Sequence, residues 1–312
     1  MRQTSDGGHS LLGSSVDLGY GLEGETHVKV ASASKGFVAT VAGLLVVGLT
    51  LRQTMVLDRH FIFFPERGIT ATPADVGLEF ENVFFSASDG VTLHGWYVPS
   101  DSDLTLLWFH GNAGNVANRL EHLALTHRLL GVNVFIFDYR GYGLSEGSVS
   151  EAGTYLDAAA AVDYLVDEKS IDTGRHLVLY GHSLGGSVAV EMAGRYPNRG
   201  LIVESTFTSI GGMAKILYPY LPSRVMTSFL RTRYDSLSKI AGARGPVMVV
   251  HGDSDETVPM AEGRKLYEAA RRPKRFHTVV GAGHNDVYSV GGEPYFEAIR
   301  RFIEDPEGEE LR

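Results

Sequence analysis

The residues best placed to do chemistry in this chain are a serine, an aspartate and a histidine, each set in a short glycine-bearing string. Ser183 is the centre of Gly181-His182-Ser183-Leu184-Gly185, which fits G-x-S-x-G. A serine hydroxyl is a poor nucleophile until a neighbouring base takes its proton, and that base needs a third group to fix its tautomer. His284 stands in Gly281-Ala282-Gly283-His284 and Asp255 in His251-Gly252-Asp253-Ser254-Asp255, so the order along the chain is Ser183, Asp255, His284. That order is the one expected where a serine is exposed on a sharp turn from strand to helix. The chemistry it implies is acyl transfer to water: attack on an ester or thioester carbonyl, an acyl-enzyme, and its hydrolysis.

Two carboxylates compete with Asp255. Asp253 is nearer the strand end, where a carboxylate tends to hold the turn, and Asp286 is close to His284 in sequence; Asp255 is favoured over both. An oxyanion needs two preorganised N–H donors. Leu184, directly after the serine, offers one. The second is assigned to the backbone of Asn112, in His110-Gly111-Asn112-Ala113-Gly114-Asn115. A phosphate-binding reading of this loop is poor, because it lacks a Gly-Lys-Ser/Thr ending. His110 and His251 occupy matching strand ends and are read as structural, hydrogen-bonding near the site. No His-Glu-x-x-His or similar spacing occurs, so neither a metal nor a cofactor is expected.

These residues must be carried by a regular frame. Leu78–Ser86 and Val91–Val98 read as an antiparallel pair around an Asp89-Gly90 turn. Leu104–Phe109, Val132–Phe137, His176–Tyr180, Leu201–Val203, Val247–Val250 and Phe276–Val280 follow as short apolar strands. Helical stretches separate them at about 114–130, 152–166, 184–195 and 260–271, with a closing helix at 293–303. Such βαβ alternation predicts an α/β fold, a mostly parallel central sheet with helices on both faces. Ser183, Asp255 and His284 then all fall past strand carboxyl ends, on one rim. Residues 207–244 are too long for a simple crossover and, with Met213, Ile216, Leu217, Tyr218, Tyr220 and Phe229, read as a small helical lid. Its apolar residues either line an acyl pocket or pack on the domain.

Outside the frame, residues 1–35 are polar and aperiodic and read as a flexible tail, and 306–312 as an acidic tail, leaving 53–305 as the domain. Gly36–Leu51 is a run of sixteen uncharged, mostly apolar residues between Lys35 and Arg52. As a helix it spans roughly 24 Å, a little short of a ~30 Å hydrocarbon core, and the flanking cations can snorkel outward. Residues 36–52 are therefore expected to be a single-pass N-terminal membrane anchor, ahead of a cleaved signal peptide or a core helix. Phe61-Ile62-Phe63-Phe64, within Val56–Pro65, reads as a strap on the domain rather than an interfacial segment. The formal net charge is −9 with no cationic cluster, which excludes nucleic acid as a partner. With no Cys, disulfide frameworks and thiol nucleophiles are excluded as well.

The strings His110-Gly111-Asn112-Ala113-Gly114-Asn115, Asp138-Tyr139-Arg140-Gly141-Tyr142-Gly143-Leu144-Ser145, Gly181-His182-Ser183-Leu184-Gly185-Gly186, His251-Gly252-Asp253-Ser254-Asp255 with Val258-Pro259, and Gly283-His284 occur in this order. Over residues 55–304 the chain resembles the α/β-hydrolase superfamily. It is more closely similar to the membrane-anchored bud-emergence-type subgroup, which itself resembles serine aminopeptidase-like hydrolases. The resemblance implies Ser183, Asp255 and His284 as a triad, backbone donors at Asn112 and Leu184, and an N-terminal membrane segment. The expected partner is a small-molecule or lipid acyl substrate. Rival expectations are a membrane-proximal lipid or protein deacylase (thioesterase or monoacylglycerol lipase), a peptidase, and a non-catalytic membrane-tethered binding module on the same fold.

Overall fold

Apolar segments of this chain become strands in the order their patterning suggests. An amphipathic edge strand, β1 (Glu81–Ser86), turns at Gly90 into β2 (Thr92–Val98) and pairs with it antiparallel. Then come β3 (Thr105–Phe109), β4 (Asn133–Asp138), β5 (Leu177–His182), β6 (Gly200–Glu204), β7 (Val247–Gly252) and β8 (Lys274–Val279). The sheet order is β1-β2-β4-β3-β5-β6-β7-β8, and from β4 to β8 every pairing is parallel. The computed structural model describes Thr40, Gly43, residues 62–218, Tyr220 and residues 231–308.

Because strand side chains alternate, the sheet has two cores. Leu107, Phe135, Leu179 and Val203 face α2 (Glu151–Asp167) and α3 (Leu184–Arg195). Leu106, Val134, Val178 and Ile202 face α1 (Leu120–Leu130) and α6 (Val287–Glu304). Fully buried Ala158 and Ala161 let α2 lie close to its face. Between β6 and β7 runs α4 (Ile210–Leu217), and between β7 and β8 α5 (Met260–Ala269). Several boundaries differ from expectation, among them the start of α1 at Leu120 rather than near 114. Leu78–Phe80 precede the edge strand, with Leu78 buried in the core instead. The closing helix begins at Val287, bends at Gly292 (φ +51) and resumes with Pro294, which near a helical start removes no hydrogen bond that would otherwise form.

The chain divides into one unit over Met1–Thr50 and another over Leu51–Arg312. Of the first, only Thr40 and Gly43 are described, and both are helical. The rest of the tail and of the apolar run Gly36–Leu51 lies outside the described residues, as do the strap before Ile62 and residues 221–230 of the lid interval. Among the described residues no helix is long and apolar enough to cross a membrane.

Candidate active site

The six parallel strands β3 to β8 deliver their carboxyl ends to one rim, and the chemistry-bearing residues stand there. At the end of β5, Ser183 adopts φ +54 and ψ −121, a conformation costly for a side chain with a Cβ, and caps α3. The turn is fixed by close backbone contact. A Cβ on Gly185 would lie 2.0 Å from the Phe109 carbonyl oxygen, and one on Gly181 would lie 2.3 Å from that of Gly185. Only glycine permits this approach. The Ser183 N–H donates to the Glu204 carbonyl (2.8 Å), and Thr206 Oγ1 donates to the Ser183 carbonyl (2.6 Å). The strained turn is thus tied to the end of β6.

Three side chains from three loops meet in a hydrogen-bonded line. His284 Nε2 lies 3.0 Å from Ser183 Oγ, and His284 Nδ1 lies 2.8 Å from Asp255 Oδ2. Asp255 Oδ1 accepts from the N–H groups of Thr257 (2.9 Å) and Val258 (2.8 Å). Burial alone would raise the Asp255 pKa, but the His251 and His284 rings and the Val258 N–H outweigh it and hold this carboxyl well below the usual range. It is therefore an anion at neutral pH, and its acceptor lone pairs require a proton on His284 Nδ1, leaving Nε2 free to accept from Ser183. Two further rings hold this line. His251 donates from Nε2 to the Val258 carbonyl (2.8 Å) beside Asp255 Oδ2 at 3.4 Å. His182 donates from Nε2 to the His284 carbonyl (2.9 Å), and burial pushes its pKa down to about 3, so it stays neutral.

Against this line lies the loop after β3. A Cβ on Gly111 would sit 3.5 Å from Ser183 Cβ and 3.2 Å from His182 Nδ1. Asn112 follows it, and its carbonyl accepts from the Phe64 N–H (3.1 Å) and the Tyr142 hydroxyl (2.8 Å). Leu184, the other assigned donor, opens α3, where the first N–H groups have no partner within the helix. Beneath the loop, burial raises Asp138 to about 8 and lowers His110 to about 3. His110 donates from Nδ1 to the Gly111 carbonyl (2.7 Å), so Nε2 presents a lone pair 3.5 Å from Asp138 Oδ1. Burial thus disfavours charge on both partners. Asp138 Oδ1 also accepts from the Val116 N–H (3.0 Å), which fixes the far end of the loop.

The structure brings Ser183, Asp255, His284 and the Gly111–Asn112 turn into one place. The rival carboxylates stand elsewhere. Asp253 Oδ1 accepts from the Gly281 N–H (2.7 Å) and ties the β7 and β8 loops together; Asp286 Oδ1 accepts from the Gly283 N–H (2.7 Å). Reading the sequence missed the parts played by His182, Thr206, Tyr142 and Asp138. His182, Tyr142 and Asp138 sat inside quoted strings, so a signal existed, but no role could be assigned without their partners. In the lid interval, Met213 of α4 is buried while Ile216, Leu217 and Tyr218 are exposed. Among the described residues no three His, Asp or Glu side chains converge as metal ligands.

Comparison with known proteins adds the following. A family model described as "Serine aminopeptidase, S33" matches residues 100–233. "Alpha/beta hydrolase domain-containing protein WAV2" of Arabidopsis thaliana is 35% identical over 285 residues, 84% of this chain and 92% of that protein. "Protein bem46" of Schizosaccharomyces pombe is 36% identical over 252 residues, 77% and 82% of the two chains. Among solved structures, the Pyrococcus furiosus esterase Pf2001 superposes with a TM-score of 0.65 at 23% identity, over 79% of this chain and 99% of that one. That likeness is one of fold.

Proposed function

The chain belongs to the α/β-hydrolase family, among its bud-emergence-like members, and from that premise we propose that it is a serine hydrolase of carboxylic esters or thioesters. The observation that carries this reading is the unbroken line from Asp255 through His284 to Ser183 Oγ. Ser183 Oγ attacks the carbonyl carbon as His284 Nε2 takes its proton. The oxygen, now negative, is met by the N–H groups of Asn112 and Leu184. Anionic Asp255 stabilises the imidazolium without accepting its proton. His284 then protonates the leaving oxygen or sulfur, and water, activated by the same ring, hydrolyses the acyl-enzyme and restores Ser183. We further propose that residues 36–52 anchor the enzyme to a membrane, which makes lipid-borne or protein-borne acyl groups its natural candidates; the apolar run in the sequence supports this.

The experiment is labelling by a fluorophosphonate probe together with hydrolysis of short nitrophenyl esters, for the full chain and for Ser183→Ala. The full chain reacts and Ser183→Ala does neither. Labelling of Ser183→Ala sinks the assignment, and an inert, folded full chain makes the protein a binding module. Repeating the assay with and without residues 1–52 in the presence of vesicles tests the anchor, since only the longer chain should pellet with them.

A further inference from the structure

We propose that the strap Ile62–Gly68, far from the triad in sequence and outside the residues the family model matches, is a working part of the active site that sets the direction of the Asn112 N–H. The inference rests on Asn112 being an oxyanion donor, as proposed above.

The hydrogen bonds of this strap fall on the two loops at the rim. Asn112 Nδ2 donates to the Ile62 carbonyl (2.7 Å), and the Phe64 N–H donates back to the Asn112 carbonyl (3.1 Å). Phe64–Pro65 and Ala113–Gly114 form a two-residue parallel pair, closed by the Glu66 N–H to the Gly114 carbonyl (3.1 Å). Asn115 Nδ2 donates to the Gly68 carbonyl (2.7 Å). Beyond the loop, Glu66 and Gly68 exchange backbone bonds with Gly143, and the Arg67 guanidinium donates to the carbonyls of Ser145 (2.7 Å) and Gly147 (3.0 Å).

Asn112 is thereby gripped by its side chain and by its carbonyl. With its side chain and carbonyl both held, the residue has little freedom to turn, and the tilt of its N–H is restrained with it. The strap also reaches the base of the lid. Phe63 is 3% exposed and meets the ring of Tyr234 edge-on, centroids 6.2 Å apart, and the Tyr234 hydroxyl lies 2.8 Å from Thr154 Oγ1. Tyr234 lies in the returning half of the lid interval. One strap therefore registers the oxyanion loop against the lid base, and a preorganised donor loses most of its advantage when it tilts.

The test uses the full chain and the variants Asn112→Ala, which deletes the bond to Ile62 while keeping the backbone N–H, Phe63→Ala, and the double variant. Active sites are counted with a fluorophosphonate, and kcat, KM, the Kd of a boronic acid that mimics the tetrahedral intermediate, and Tm are measured. Each single variant is expected to lose roughly 10-fold in kcat per active site, with KM within about twofold and boronate Kd raised by the same factor as kcat falls. The double variant should lose little more than either single, because both release one clamp. Lower Tm with kcat per site and boronate affinity unchanged overturns the proposal. If Phe63→Ala does not fold, Phe63→Leu, which keeps most of the buried volume and loses the edge contact, takes its place with the same expectations. A wild-type chain inert to the probe removes the hydrolase reading and the strap proposal together, whereas a reactive wild type with fully active variants removes the strap proposal alone.

Discussion

Between Gly181 and Gly185 the nucleophile turn is fixed by backbone against backbone, whereas the loop His110–Asn115 is fixed through side chains, its own reaching out to the strap and those of Asp138 and Tyr142 reaching in. On the first side a missing Cβ is the device, and the atoms it spares, such as the Phe109 carbonyl, cannot move without moving a strand. On the second side Asn112, Asn115, Tyr142 and Asp138 each contribute one to three hydrogen bonds. Close-packed backbone is stiff and fails all at once. A set of single bonds, each with a net contribution of about 1 kcal/mol, fails by degrees. The contrast teaches that the group that attacks and the groups that stabilise are built to different tolerances.

The largest effect is expected on the triad side, at Asp255. In Asp255→Asn the side-chain oxygen keeps the Thr257 and Val258 N–H groups, so the amide NH₂ is turned toward His284 Nδ1. That forces the ring proton onto Nε2, the atom that must accept from Ser183. A fall in kcat on the order of 10⁴-fold follows, with Tm little changed. Pre-steady-state acylation checks it; a loss under tenfold would place the acid elsewhere. Next comes Gly185→Ala. The added methyl meets the Phe109 carbonyl oxygen at 2.0 Å and the His110 carbonyl oxygen at 2.6 Å. It pushes the helix and the root of the oxyanion loop apart, costing ~1–3 kcal/mol or more of stability and about 10²-fold in kcat/KM. Denaturant unfolding and steady-state kinetics read both.

This contrast also explains what could be read from the chain alone. The turn around Ser183 was legible because its cause is local: small residues beside the serine, an apolar run before it, a helix after it. Asp255 and His284 were legible because both follow apolar strands and keep the chain order of the chemistry. The parallel sheet was legible from short runs such as Val134–Phe137 that alternate with helices. The support of the oxyanion loop was not. The bond from Asn112 to Ile62 spans fifty residues, and nothing in Ile62-Phe63-Phe64 announces a partner. His110 reads as a structural residue at a strand end and Asp138 as part of a longer string, and the burial that disfavours charge on both arises only in the fold.

A smaller effect, on the loop side, depends on pH. Asp138 titrates at about 8 in the folded protein because burial penalises its charge, against ~3.9 in an unfolded chain. Between these values the native state keeps a proton that the unfolded state has released. Stability from this group is therefore complete below about pH 4 and is lost as pH rises toward 8, by up to ~1.4 kcal/mol per unit. Asp138→Asn is isosteric, keeps an acceptor for the Val116 N–H, and has no such slope. Relative to wild type, the variant should gain stability steadily from pH 5 to pH 8 in denaturant titrations. Glu204, raised by burial to about 7, is common to both chains and cancels. A difference that does not vary with pH would mean that Asp138 is ionised and that the loop rests on a charged pair.

The smallest effect tests whether the loop side does fail by degrees. Tyr142 donates to the Asn112 carbonyl, the atom that also accepts from the Phe64 N–H. Tyr142→Phe removes one of those two donors and nothing of the buried ring, which packs against His110 at 5.3 Å between centroids. The carbonyl keeps its strap bond, so Asn112 loosens without being released. The expected cost is about 1 kcal/mol of transition-state stabilisation, roughly fivefold in kcat/KM, with the loss in kcat. Combined with Phe63→Ala the loss should grow beyond either single change, because the carbonyl then has neither a firm strap nor the phenol. If Tyr142→Phe alone matched the loss at Gly185→Ala, the loop would be as brittle as the turn, and the two sides of the site would be held to the same tolerance after all.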